Sequence, residues 1–168
     1  MAVVTPRSAC TAWAATALCV LLAACDGESA PPTVPLTTAV AVPAATFDPG
    51  PIKTAAQYLM EPDFAGADIA RGELLGFACA ACHKLRAEEG TLIGPNLQGV
   101  FGRPAASLEG FTYSPALEQS GLVWTPRSLE AWLADPAEFV AGTTMAFTGY
   151  RSAEDRRDLI AYLLRATQ

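Results

Sequence analysis

Cys79-Ala80-Ala81-Cys82-His83 sets two thiols three residues apart and an imidazole directly after the second. On a helix, positions i, i+3 and i+4 share one face, so all three groups can meet the same flat ligand. C-x-x-C-H suits the attachment of a c-type haem, each sulfur forming a thioether to the porphyrin and the imidazole binding the iron. Other chemistries fit less well. A structural zinc site takes four ligands, usually from a second Cys or His pair, but His83 is the only histidine and Cys10, Cys19 and Cys25 all fall in the first 25 residues. A thioredoxin-like dithiol wants a strand before its first cysteine within a βαβ unit, whereas the stretch before Cys79 reads as helix.

A single histidine excludes bis-histidine ligation within one chain. Once a leader is removed, two methionines remain, Met60 and Met145. Met145 follows His83 by 62 residues in Gly142-Thr143-Thr144-Met145-Ala146-Phe147, a loop expected between two helices, from which a side chain can approach the far face of a haem. Met60 lies outside the expected compact region and reads as local packing. A thioether opposite an imidazole favours ferrous iron and raises the potential. With both axial positions filled, oxygen or peroxide has no open site, so electron transfer is the natural task. The competing class is a haem peroxidase or gas-binding protein with a labile Met145, for which no second histidine is present as acid or base. A fixed electron-transfer subunit of a larger oxidoreductase shares the carrier's chemistry and differs only in partner.

The elements that must position these groups read as helices. Asp68 can cap a helix from Ile69 to about Cys82, with Leu74, Leu75 and Ala78 as candidate apolar contacts. Thr125-Pro126 opens a second helix, which Asp135-Pro136 closes. Ser152 with Asp155 three later has the form of a capping box for a last helix, in which Leu159, Ile160, Leu163 and Leu164 recur at helical spacing. No stretch sustains a strand alternation. The expectation is an all-α domain over 68–168, small enough that a buried haem adds apolar area the chain cannot supply alone.

Residues 1–24 carry one charge, Arg7, before an apolar run from Ala9 to Ala24, the layout of a secretory signal. Leu22-Ala23-Ala24-Cys25 resembles the lipobox of bacterial lipoproteins, which implies cleavage before Cys25 and a diacylglycerol on its thiol. Asp26 resembles the residue that retains some lipoproteins in the inner membrane, so the expected place is the periplasmic side of that membrane. Every cysteine is then assigned: Cys10 and Cys19 leave with the signal, Cys25 takes lipid, and Cys79 and Cys82 take haem. Residues 25–67 contain Pro31, Pro32, Pro35, Pro43, Pro49 and Pro51 among Ala, Thr and Val, and read as an extended, largely flexible tether. Ala55 to Met60 could add a helical turn or two before Pro62.

From Cys79 onward the chain resembles the class I cytochromes c of the mitochondrial and bacterial c2-like type. The resemblance rests on Gly94-Pro95-Asn96-Leu97 through Gly102-Arg103, Gly110-Phe111-Thr112-Tyr113, Trp124-Thr125, Gly142-Thr143-Thr144-Met145, and Glu154-Asp155-Arg156 through Leu159-Ile160-Ala161-Tyr162-Leu163. It implies that the Pro95 carbonyl accepts the second imidazole N–H of His83. It also implies that Arg103, Tyr113 and Trp124 hold the haem propionates, that Thr143 lies near one of them, and that Leu159 and Tyr162 cross the first helix near Leu75. Trp132 stands where the mitochondrial proteins place a tyrosine near the methionine sulfur, and Ala141 and Thr144 replace a proline and a lysine.

Without Arg7 the chain has 10 basic against 17 acidic side chains, a net charge of −7. The mitochondrial relatives dock through a ring of lysines, whereas the only lysines here are Lys53 and Lys84. Long-range steering toward the same acidic partners is ruled out by this opposite charge. Nucleic acid is disfavoured, because phosphate contacts need basic patches. The expected partners are redox proteins and, through Cys25, the membrane, with a monomeric haem domain.

Overall fold

The computed structural model describes residues 47–168. The expected signal, Cys25 and residues 25–46 of the expected tether lie outside the described residues. Among the described residues six α-helices follow in chain order: α1 (Ala55–Leu59), α2 (Ile69–Ala80), α3 (Pro115–Glu118), α4 (Pro126–Ala134), α5 (Pro136–Phe139) and α6 (Ala153–Ala166). Among the described residues there is no strand, only an isolated antiparallel bridge between Pro104 and Val123. No described helix is long and apolar enough to cross a membrane.

Short polar side chains start the helices by accepting bonds from otherwise unpaired first-turn amides, each such cap contributing about 1 kcal/mol. Asp68 accepts from Arg71 N at 3.0 Å, Ser152 from Asp155 N at 3.2 Å and Thr125 from Ser128 N at 3.3 Å. Asp135 ends α4 and caps α5 through Glu138 N. Pro136 explains both events: without an N–H it cannot continue α4, yet it suits the first position of a new helix.

α2 crosses α6 at its two glycines. A Cβ on Gly72 would overlap the Asp158 carbonyl, and one on Gly76 would lie 2.7 Å from Tyr162 Cε1, so only the absence of side chains lets the helices approach this closely. Asp158 is buried and its Oδ1 accepts from the backbone N–H of Asp68 at 3.1 Å, placing an α6 carboxylate at the start of α2. Arg71 of α2 pairs with Asp155. Leu159, Ile160, Leu163 and Leu164 are all buried, together with Leu129, Trp132 and Leu133 of α4.

Three expectations are corrected. The domain does not begin at Asp68, because residues 47–67 lie folded on it. Tyr58 of α1 is 4% exposed, its hydroxyl donating to Pro51 O at 2.9 Å and accepting from Lys53 N at 3.1 Å. Prolines prevent an internal hydrogen-bond ladder here, but they leave carbonyls free to pair with a neighbouring surface: Pro49 O accepts from Thr125 Oγ1 at 2.8 Å. Second, Leu74 is 68% exposed, because the face of α2 that meets α6 is centred on Gly72, Leu75 and Gly76; Ala78 instead faces the cavity described below. Third, Met60 is 86% exposed and packs nothing.

Candidate haem site

The end of α2 delivers Cys79, and backbone bonds from Cys82 N and His83 N to Cys79 O, at 3.0 and 2.8 Å, coil the next residues beneath it. The segment 94–97 lies alongside through Gly94 N to Cys82 O and Leu97 N to Lys84 O, both 2.8 Å. That brings Pro95 O within 2.7 Å of His83 Nδ1. A carbonyl can only accept, so Nδ1 carries the proton and Nε2 keeps its lone pair for a metal. Gly94 permits this approach: a Cβ there would lie 2.6 Å from His83 Nδ1. Asn96 locks the loop, its buried amide donating to Arg86 O at 2.7 Å and Gly90 O at 2.6 Å and accepting from Gln98 N at 2.8 Å.

Burial holds His83 below the usual histidine range, opposed by the bond to Pro95. Burial also pushes the Cys79 thiol up to about 11. Both groups are therefore neutral at neutral pH.

Arg103 is held from behind, Nη1 donating to Gln98 O at 3.0 Å and Nη2 to Asn96 O at 2.9 Å; among the described residues it has no carboxylate partner. Burial lowers its pKa. Trp124 stacks edge-on with Trp132 at 5.4 Å, and Tyr113 with Phe111 at 4.8 Å. Gly102 N to Trp124 O at 2.7 Å and Trp124 N to Arg103 O at 2.9 Å tie these two walls together. After α5, Thr143 N donates to Val140 O at 3.0 Å, and Thr143 Oγ1 accepts from Met145 N at 3.3 Å, which shapes the methionine loop.

Cys79, Cys82, His83, Pro95, Arg103, Tyr113, Trp124, Thr143 and Met145 all line one cavity of about 290 Å³. The rest of its wall is mostly apolar, with Val100, Leu117, Leu129, Leu133, Phe147 and Leu163 among the lining. Two thiols, a neutral imidazole with Nε2 free and a thioether in an apolar cavity, beside a guanidinium with no carboxylate, fit a metalloporphyrin bearing carboxylates. The donor set does not suit a bare ion: among the described residues no three His, Cys, Asp or Glu groups are placed to hold one. Gly94 and Asn96 carry roles here that the motif Gly94-Pro95-Asn96-Leu97 does not by itself assign. The signal available was a Gly-Pro-Asn run, whose residues fix turns.

A family model described as Cytochrome c matches residues 69–167. A cytochrome c from Gibberella zeae is 43% identical over 105 residues, covering 62% of this chain and 99% of that protein. One from Trypanosoma brucei brucei is 49% identical over 71 residues, covering 42% of this chain and 76% of its own length. Among solved structures, cytochrome cH from Methylobacterium extorquens superposes with a TM-score of 0.53 at 42% identity, covering 57% of this chain and 96% of that one.

Proposed function

The chain belongs to the cytochrome c family, with one covalent haem c and electron carriage as its task, and from that premise we propose a carrier tethered to a membrane by lipid on Cys25, its iron held between His83 and Met145. It passes single electrons between redox proteins on the periplasmic side of the bacterial inner membrane.

Haem c supplies a one-electron couple and needs no proton or bond exchange in each turnover. Cys79 and Cys82 would hold it by thioethers, and His83 Nε2 would bind its iron. Pro95 O fixes the ring plane of that imidazole and makes it a stronger donor. Met145 would hold the iron as a second protein ligand, leaving small ligands no open site. Arg103, Tyr113, Trp124 and Thr143 present the polar tips that would receive two carboxylates at an otherwise apolar wall. The observation that carries this reading is the convergence of all nine residues on one cavity, with His83 already oriented by Pro95.

Covalent haem is checked by denaturing electrophoresis with haem stain. Wild type retains the stain, and Cys79→Ala with Cys82→Ala loses it. Membrane attachment is checked by fractionation: Cys25→Ala should move the protein to the soluble fraction, and a variant that stays in the membrane would contradict the tether.

A further inference from the structure

Residues 47–64 form an arm that precedes the family match at 69–167 and touches the cavity wall from outside. Pro49 O accepts from Thr125 Oγ1 at 2.8 Å; Thr125 is 1% exposed and directly follows Trp124. Ile52 lies over Gly102, its Cγ2 3.0 Å from where a Cβ would stand, and Gly102 directly precedes Arg103. Phe47 meets Phe139 edge-on at 5.2 Å, three residues before Gly142 begins the methionine loop. Arg127 stacks over the Phe47 ring at 5.7 Å. The arm is itself clamped: Tyr58 OH bridges Pro51 O and Lys53 N, and Lys53 Nζ donates to Glu61 Oε1 at 2.6 Å.

We propose that this arm is a positioning element of the haem cavity, holding the Gly102-Arg103 and Trp124-Thr125 segments in register from behind so that Arg103 and Trp124 keep their aim and water is excluded from that wall. The inference rests on the haem-carrier reading above. None of Pro49, Ile52 and Tyr58 lines the cavity, so the arm acts through the neighbours it holds. The two segments are already bonded to each other through Gly102 N and Trp124 N; the arm adds an outer layer to that pair. Solvent exposure and hydrogen bonding around a haem set its potential. Loosening the outer layer lets water nearer and favours the more charged ferric state.

The test uses the full-length holoprotein with Tyr58→Phe, Thr125→Val and Thr125→Ser. Tyr58→Phe removes the clamp on the arm without touching the cavity. Thr125→Val removes the bond to Pro49 together with the α4 cap, while Thr125→Ser keeps both, so Tyr58→Phe is the variant that reads the arm alone. Tyr58→Phe and Thr125→Val should speed hydrogen exchange at the Gly102 and Trp124 amides several-fold and lower the midpoint potential, with Thr125→Ser close to wild type in both. An unchanged potential in Tyr58→Phe would overturn the proposal even if exchange rises, since the arm would then serve stability alone. Equal shifts in Thr125→Ser and Thr125→Val would overturn it too. Absence of covalent haem in wild type is a separate result that would remove the haem reading, and the arm's role with it.

Discussion

At the α2–α6 crossing, Gly72 and Gly76 remove side chains so that one helix can lie against another; at the cavity, Gly94 removes one so that a backbone can lie against the His83 ring. The same residue serves two different ends. The crossing is complete as protein, with Asp158, Leu159 and Tyr162 filling its contact. The cavity is a lined space in which Cys79, Cys82, His83 and Met145, the proposed haem-holding groups, would find their chemistry outside the polypeptide. Stability therefore concentrates at the crossing and function at the cavity, and substitutions at the two kinds of glycine separate them.

Gly72→Ala should have the largest effect on stability. Its Cβ would meet the Asp158 carbonyl, which is backbone and cannot swing aside, so denaturant unfolding of the holoprotein should show a loss of about 3 kcal/mol with little change in the spectrum of the surviving folded fraction. Gly94→Ala should do the reverse. Its Cβ displaces an imidazole held by Pro95, so the haem spectrum should lose its His-ligated form while the helical content by circular dichroism is kept. Equal damage to fold and spectrum in both variants would erase the distinction between the regions.

A smaller effect sharpens it. Gly76→Ala presses on the Tyr162 ring, which can shift, so about 1 kcal/mol is expected in the same unfolding measurement.

Local signals made the helix starts legible. Asp68, Thr125 and Ser152 act within three residues of themselves, and each caps the helix expected of it. The four aliphatic residues of α6 were readable because their period needs no partner. Gly72 and Gly76 were not readable as crossing residues: their role depends on Asp158 and Tyr162, more than 80 residues away. For the same reason Leu74 read as inward. The arm was misread as tether because proline content reports what a segment cannot do internally, and not what surface it can pair with. The motifs pointed to nine residues that share one cavity; the bonds that hold Arg103 from behind, through backbone carbonyls of Asn96 and Gln98, leave no trace in residue type.

The central claim is that His83 and Met145 are the two axial ligands, and the absorption spectrum of the oxidised holoprotein tests it most directly. A weak near-infrared sulfur-to-iron band should be present in wild type and absent in Met145→Ala, with carbon monoxide binding to the reduced variant and not to reduced wild type. A wild-type spectrum without that band, or a band that survives Met145→Ala, would contradict the account.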